Sequence, residues 1–271
     1  MTDVHQKQEH REAHFQFGAN WKRFLELLDD ERIAAAEKSL QEMLDVEDLT
    51  NMRFLDAGSG SGLFSLAARN LGASVISFDF DIQSVACTQE LKKRYWPEDI
   101  KWKIEWGDVL DRGYVESLGT FDFVYSWGVL HHTGDMWSAL ENVSVSGLPG
   151  GKLFIAIYND QRFLSSYWKN IKKSYNKWFL ARCLITIIHA PYFLSRNFLR
   201  VLVTGTTKRP RGMASWIDII DWLGGYPFEV ARPEEIFNFY KKRNFSLEQM
   251  TTVDGRHGCN QFVFFKLKNT L

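Results

Sequence analysis

The chain has 271 residues, of which 45% are hydrophobic and 24% are charged, and its 33 basic and 33 acidic residues cancel. This composition excludes a largely disordered chain, and the zero net charge weighs against a broad nucleic-acid-binding surface. The three cysteines form no C-x-x-C pair, and the polar first fourteen residues lack the apolar stretch of a secretory signal. We therefore expect a cytoplasmic protein without a disulfide framework.

The predicted elements begin with a helix over residues 15–45, where apolar residues recur at helical spacing. From residue 53, short apolar runs alternate with helical stretches, which is typical of a parallel sheet with crossover helices. Strands are predicted at 53–56, 74–79, 102–106, 121–126, 152–158, 245–253 and 262–267, and helices at 62–71, 81–95, 111–118, 134–146 and 233–242. The predicted fold is α/β, with a doubly wound, mostly parallel seven-stranded sheet, an antiparallel C-terminal hairpin, an N-terminal helical cap and a helical insertion after strand five.

The first predicted strand ends in Asp56 and opens through Gly58, Gly60 and Gly62 into a helix. Glycines allow the backbone of such a turn to approach a ligand closely, so this turn, with Ser59, predicts a nucleotide-type site. Leu63 stands where the dinucleotide fingerprint G-x-G-x-x-G/A requires Gly or Ala, which weighs against NAD.

The ends of the next strands supply further candidate ligands. Asp79 ends the second strand, 21 residues after Gly58, and suits the ribose hydroxyls, with Phe80 beside it. After the third strand, Asp108 offers a carboxylate to an adenine amine and Val109 an apolar cover for the ring. Ser126, at the end of the fourth strand, completes the predicted cofactor-binding set.

Candidate catalytic residues follow the fourth and fifth strands, whose carboxyl ends face the same crevice. His131 or His132 suits the role of a general base near neutral pH, and a purely structural role for both is the alternative. Tyr158 and Asp160 are predicted to orient the acceptor, Asp160 also being a candidate base; capping of the strand end is their alternative. No cluster has metal-ligand spacing, so no metal is predicted.

The insertion is distinguished by its charge: residues 161–217 contain eleven of the 33 Lys and Arg residues and no Asp or Glu. Residues 162–182 predict a cationic amphipathic helix, with Lys169, Lys172, Lys173 and Lys177 on faces other than the apolar one. The thirteen uncharged residues that follow are too few to cross a bilayer. This segment suits an anionic or lipid-like acceptor, or contact of residues 162–200 with an anionic membrane; a helical cap with a solvated lysine face is the alternative.

The motifs LDAGSGSGLFSLAA, ISFDFD, GDVLD, FDFVYSWGVLHHT and LPGGKLFIAIY resemble those of class I S-adenosylmethionine-dependent methyltransferases, over residues 52–158 and 232–268. The run from Gly128 to His132 is similar to that of small-molecule enzymes, including ubiquinone-pathway O-methyltransferases. The resemblance implies S-adenosyl-L-methionine as cofactor and O-methylation of a small molecule. Several quinone-pathway enzymes have Glu where this chain has Gly128 and His131, which argues against a metal-assisted mechanism.

The expected organisation is a cap (1–50), an S-adenosylmethionine-binding methyltransferase domain (51–160 and 231–271) and a basic helical insertion over the acceptor site (161–230). A non-catalytic S-adenosylmethionine-binding module and an RNA methyltransferase are the alternative functions. Phe17, Gly18, Asn20 and Trp21 are predicted to cover the cofactor as a lid. A core stripe of Phe17 and Trp21, which are spaced four residues apart, is the alternative.

Overall fold

The computed structural model describes Trp21 and residues 24–205 and 215–268. Its strands are β1 (Arg53–Ala57), β2 (Ser74–Asp79), β3 (Trp102–Trp106), β4 (Phe121–Trp127), β5 (Gly147–Tyr158), β6 (Phe245–Thr251) and β7 (Cys259–Lys266). Within the described ranges they form a seven-stranded sheet in the order β3-β2-β1-β4-β5-β7-β6. The first five strands are parallel, and β7 lies antiparallel between β5 and β6. The predicted fold is confirmed.

The helices alternate with the strands. They are α1 (Asp30–Leu44), α2 (Leu63–Asn70), α3 (Ile82–Tyr95), α4 (Arg112–Ser117), α5 (Met136–Val145), α6 (Phe163–Lys177), α7 (Phe179–Thr204), α8 (Ser215–Gly224) and α9 (Pro233–Lys241). One face of the sheet packs against α1, α2 and α3, and the other against α4, α5 and α9, so both faces are covered as a doubly wound sheet requires.

The leading helix is shorter than predicted. Residues 24–26 are helical, residues 27–29 are not, and α1 begins after Asp29, whose carboxylate accepts a hydrogen bond from the Arg32 backbone N–H at 2.9 Å. An aspartate cap of this kind satisfies an N–H that the first turn leaves unpaired, which is why the chain restarts a helix there. Residues 15–20, 22 and 23 of the predicted helix lie outside the described residues.

The start of β5 also differs from the prediction. The strand predicted at 152–158 begins at Gly147, so the Leu148-Pro149-Gly150-Gly151 segment, which has the composition of a turn, belongs to it. A Cβ at Gly151 would lie 2.7 Å from the Asp122 carbonyl oxygen, so this glycine allows β5 to approach the backbone of β4 closely. The pairing register shifts between Phe121 and Phe123 at the same place.

The insertion between β5 and α9 forms a small helical layer of its own. A third apolar cluster joins α6, α7 and α8 with the segment that follows them, through Trp168, Tyr175, Ile185, Ala190, Ile219, Leu223 and Phe228. The single helix predicted over 162–182 is wrong: α6 ends before Trp178, which has extended backbone angles, and α7 continues for 26 residues through the uncharged segment. Across the described ranges, none of the helices combines the length and hydropathy that a membrane crossing needs.

Candidate active site

The glycine turn lies at the carboxyl edge of the sheet, between β1 and α2, where the strand order reverses. Gly58, Gly60 and Gly62 all have positive φ angles, of 87°, 55° and 80°. A Cβ at Gly58 would lie 2.4 Å from Val129 Cγ1, and one at Gly62 would lie 2.8 Å from Thr88 Cγ2. The turn therefore needs glycine for its backbone angles and for packing against its own chain, before any ligand is considered.

Trp21 extends from the N-terminal segment to this turn. Its indole Cε2 lies 3.0 Å from the position of a Cβ at Gly60, and its ring packs edge-on against Phe24 at 6.0 Å. It also borders the apolar core beneath α1. Trp21 thus makes a core contact and a contact with the glycine turn, while Phe17, Gly18 and Asn20 lie outside the described residues.

Asp79, at the end of β2, holds the turn in place. Its carboxylate accepts a hydrogen bond from the Gly60 N–H at 2.9 Å and another from the Asp81 N–H at 2.8 Å. Burial raises the pKa of Asp79 to about 6, and these N–H donors oppose the rise. The group is therefore ionised at neutral pH. Because a carboxylate has about four acceptor positions, Asp79 retains capacity for hydroxyl donors of a ligand.

Asp56 lies below the turn rather than at its surface. It is fully buried, and its carboxylate accepts a hydrogen bond from the Ser65 hydroxyl of α2. Ser65 also contacts the Ser77 hydroxyl at 2.7 Å, so the network ties β1, α2 and β2 together. Burial, with a further contribution from the charge of Asp79, raises the pKa of Asp56 to about 7. This environment supports the turn, and a direct cofactor contact of Asp56 stays a prediction.

The adjoining wall of the crevice is formed after β2 and β3. Asp108 is partly buried, and its carboxylate accepts the Leu110 N–H at 2.8 Å. Val109 is buried beside it. Trp106, which was predicted only as the end of a strand and not as a site residue, is 51% exposed and donates its indole N–H to the Phe80 carbonyl at 2.9 Å. These residues place apolar and acidic groups side by side at the predicted adenine position.

The two predicted serine ligands make internal hydrogen bonds. Ser126 is fully buried and donates its hydroxyl to the Ala57 carbonyl at 2.7 Å, which ties β4 to the end of β1. The Ser59 hydroxyl lies 3.0 Å from that of Thr88 on α3. By contrast, a Cβ at Gly128, which has a φ of 76°, would meet nothing within 4 Å. The open space after β4 therefore lies at Gly128.

A family model described as a methyltransferase domain matches residues 28–206, which include the glycine turn, β1 to β5 and most of the insertion. The chain belongs to this methyltransferase family. The resemblance to class I S-adenosylmethionine-dependent methyltransferases is thereby confirmed.

Individual methyltransferases match more weakly. The ubiquinone biosynthesis O-methyltransferase of Rhizobium johnstonii is 27% identical over 128 residues, which cover 47% of this chain and 50% of that protein. The ribosomal protein L11 methyltransferase of Thermotoga petrophila is 38% identical over 73 residues, covering 27% and 25%. The chain thus spans about half or less of the length of these curated relatives.

A solved structure with a similar fold is that of magnesium protoporphyrin IX methyltransferase from Synechocystis PCC 6803 with bound SAH. Its TM-score to this chain is 0.52 at 13% sequence identity, and the match covers 86% of this chain and 83% of that one. This similarity shows a shared fold.

His131 and His132 lie in a short helical turn after β4, next to Val129, which packs against the glycine turn. The His132 Nδ1 atom lies 2.6 Å from the Pro227 carbonyl oxygen. Since a carbonyl can only accept, we assign a proton to Nδ1, and in a neutral ring Nε2 would then be the acceptor nitrogen. His132 is partly buried, and its ring centroid lies 4.5 Å from that of His131.

His131 is fully buried, and among the described residues no group makes a well-aligned hydrogen bond to either ring nitrogen. Burial lowers its pKa well below the usual value, and the nearby His132 and Lys172 act in the same direction, while the Ala156 carbonyl opposes them. His131 is therefore neutral at physiological pH. Its ring packs against Tyr158 at a centroid distance of 4.0 Å.

The two predicted residues after the histidines have different surroundings. Tyr158, at the end of β5, also contacts Phe228 at 5.2 Å and Trp222 at 5.5 Å, so it joins the histidines to the insertion. Asp160 accepts the Arg162 N–H at 2.7 Å in the turn that precedes α6. The structure thus brings His131, His132 and Tyr158 together, and gives Asp160 a local role in the turn.

Lys172 does not lie on the face of its helix where it was predicted. Predicted on a face other than the apolar one of its helix, it is fully buried on α6 and donates to the Trp222 carbonyl. Its ammonium group lies 4.4 Å from the Trp222 ring centroid and 4.9 Å from that of Phe228. Aromatic faces attract cations, which offsets part of the burial of this charge. Lys172 therefore lies inside the aromatic cluster that Tyr158 connects to the histidines.

The part of the chain that the structure describes contains no group of three or more His, Cys, Asp or Glu side chains that could hold a metal ion. A mechanism without metal stays a prediction.

Proposed function

We propose that this chain binds S-adenosyl-L-methionine in the crevice and transfers its methyl group to an oxygen atom of a small molecule. The observation that carries this proposal is the ionised Asp79. Its carboxylate joins the glycine turn to the end of β2 and can still accept hydrogen bonds from hydroxyl groups of a ligand. The residues present fit the cofactor: Asp79 would hold the ribose, Asp108 and Val109 the adenine, and the turn at Gly58 and Gly60 the amino-acid portion.

The chemistry that the bound cofactor supplies is a methyl group activated by a positively charged sulfur. The protein's main contribution is then to align the acceptor oxygen and to exclude water. Tyr158 and its aromatic neighbours would orient the acceptor. His132 would accept the hydroxyl proton at Nε2, while its Nδ1–H bond to the Pro227 carbonyl fixes the ring. His131, held neutral, would position both His132 and Tyr158.

Replacement of His132 tests the base. A His132→Asn variant retains an N–H donor that can approach the Pro227 carbonyl but removes the acceptor nitrogen. We expect kcat to fall roughly 10²-fold to 10⁴-fold with little change in KM, because general-base catalysis contributes about that much. Stopped-time assays of methyl transfer measure both values, and His189→Asn, on α7, is the matched histidine control. An unchanged kcat in His132→Asn would show that alignment alone drives the reaction.

The affinity for S-adenosylmethionine should depend on pH through Asp79. Only the ionised carboxylate accepts hydrogen bonds from both ribose hydroxyls, and the pKa of Asp79 is about 6. Affinity should therefore be constant above neutral pH and fall as pH drops through 6, by at most roughly tenfold per pH unit. Calorimetric titrations across this range measure the effect.

Two variants show whether Asp79 or the nearby Asp56 causes the pH dependence of cofactor affinity. Asp79→Asn should bind weakly with no pH dependence in this range. Asp56→Asn should keep the decline, because Asp56 supports the turn without contacting the ribose. A decline that persists in Asp79→Asn would remove the ribose assignment.

The aromatic rings around Tyr158 favour an aromatic or apolar acceptor, and the excess of Lys and Arg in residues 161–217 favours one that also carries a negative charge. This combination supports the predicted anionic or lipid-like acceptor. A cytoplasmic location belongs to the same proposal, and so does the division into cap, methyltransferase domain and insertion. The charge of the chain as a whole still weighs against nucleic acid as the acceptor.

Transfer of a radiolabelled methyl group from S-adenosylmethionine to a fractionated cell extract tests this function. We expect label in the small-molecule or lipid fraction with wild-type protein and none with Asp79→Ala. Label confined to RNA or protein would contradict the proposal. Cofactor binding without transfer to any fraction would favour the non-catalytic binding module.

A further inference from the structure

One face of α7 presents large apolar side chains to solvent in two groups, one before Pro191 and one after Ser195. Each is at least 59% exposed, and their spacing follows the helical repeat, so they form one stripe: Leu180, Leu184, Ile187, Ile188, Phe198, Leu199 and Leu202. We call these seven residues the outer stripe. The opposite side of α7, with Ile185, His189 and Ala190, is buried against the insertion. The helix is therefore fixed to the protein by one face and unpartnered on the other among the described residues.

The outer stripe differs from the scattered apolar residues of an ordinary protein surface. It extends over about 33 Å at the rise of an α-helix. Patches of this length on a surface mark an interaction site, because contact with water is unfavourable for each side chain. A shape so long and narrow suits an extended partner better than a small ligand.

The charges around the stripe indicate the chemistry of the partner. Lys169, Lys173 and Lys177 are all exposed and follow one another at four-residue spacing along α6. Arg196 is exposed on α7, and residues 161–217 contain no acidic residue. At the junction of the two helices, Trp178 is 56% exposed beneath the Lys177 ammonium group, which lies 4.9 Å from its ring. Apolar, cationic and interfacial aromatic side chains are thus combined in one layer.

We infer that the outer stripe docks on an anionic lipid bilayer, with α7 lying in the plane of the interface. Its apolar side chains would insert into the region between the lipid headgroups and the acyl chains. The lysines of α6 would lie near the anionic headgroups. Trp178 would lie at the depth of the headgroups, where tryptophan side chains are enriched in membrane proteins. A second copy of the chain is a poorer occupant, because two such faces would bring unbalanced positive charges together.

This surface is connected to the acceptor end of the crevice. Behind the stripe, α7 packs on Trp168, whose ring lies 5.6 Å from that of Trp222, and Trp222 in turn contacts Tyr158 at 5.5 Å. If the proposed function holds, an acceptor dissolved in the membrane would meet this aromatic wall first. The docking itself requires neither the cofactor nor the acceptor, so it is tested separately from the reaction.

Co-sedimentation with vesicles tests the docking. The full chain is mixed with vesicles of phosphatidylcholine alone or of phosphatidylcholine and phosphatidylglycerol in equal parts. We expect binding to the anionic vesicles that weakens with added salt. A Leu184→Gln/Ile188→Gln variant should bind at least tenfold more weakly, because it removes two apolar side chains from the lipid contact. The Lys173→Gln/Lys177→Gln variant should also bind the anionic vesicles at least tenfold more weakly than the wild type does. Its binding to vesicles of phosphatidylcholine alone should equal that of the wild type.

The matched control is Ile100→Gln/Met250→Gln, which removes exposed apolar side chains from the methyltransferase domain and should bind as wild type does. Thermal unfolding of each variant shows whether it folds, and light scattering of the free protein gives its oligomeric state. The inference is overturned if the anionic vesicles do not retain the wild-type protein. It is also overturned if the stripe variant binds normally, or if that variant converts a stable wild-type dimer into a monomer.

Discussion

An Asp79→Ala variant is expected to bind S-adenosylmethionine at least roughly a hundredfold more weakly than the wild-type chain. The variant loses the charged acceptor of the ribose hydroxyls, and a hydrogen bond to a charged group contributes about 1.5–3 kcal/mol. It also loses the acceptor of the Gly60 N–H, which fixes the glycine turn. Calorimetric titration at pH above 7 measures the affinity where Asp79 is ionised in the wild type.

Two controls separate ligand contact from support of the turn. Asp135→Ala removes another aspartate that accepts backbone N–H bonds, at the start of α5, and should bind the cofactor normally. Asp79→Asn preserves the shape of the side chain and an acceptor oxygen but removes the charge, so its affinity should be intermediate. If Asp79→Ala binds as tightly as wild type, the cofactor does not contact the end of β2 as proposed.

A Gly58→Ala variant is expected to lose roughly 2–5 kcal/mol of stability. The φ angle of 87° is unfavourable for alanine, and the new Cβ would lie 2.4 Å from Val129 Cγ1. Both effects act at the turn, so cofactor binding should be lost as well. Urea unfolding measures the change in the free energy of unfolding.

The chain offers a matched glycine for this experiment. Gly255 has a φ of 73°, and a Cβ there would meet nothing within 4 Å, so Gly255→Ala isolates the effect of the backbone angle. We expect a loss of about 1 kcal/mol there. Adding Val129→Ala to Gly58→Ala should restore most of the part caused by overlap, because only the Val129 Cβ, at 2.9 Å, would remain close. Equal losses in the two glycine variants would contradict the close packing at Gly58.

The sheet could be predicted from the sequence because its signals are local. β2 and β3 have the predicted bounds, since each is a short run set between a helix end and a turn. The early start of β5 could not be predicted in this way. Gly150 and Gly151 have the composition of a turn, and only the neighbouring backbone of β4 explains why a strand passes through them.

Site residues could be predicted where the residue type and its local spacing define the role. They could not be predicted where the role depends on contacts with residues far away in the sequence. The glycines and Asp79 could be recognised from their spacing in the sequence. The close packing of Val129 against Gly58 could not, because these residues lie about 70 positions apart in the chain. Lys172 was expected away from the apolar face because lysines are usually solvated. Its burial depends on Trp222 and Phe228, which a helical pattern within α6 does not reveal.

The central claim is tested most directly by calorimetric titration of the wild-type chain with S-adenosylmethionine and, separately, with NAD. The glycine turn, Leu63 and Asp79 predict saturable binding of S-adenosylmethionine at one site per chain and no binding of NAD. Absence of S-adenosylmethionine binding, or tighter binding of NAD, would contradict the account.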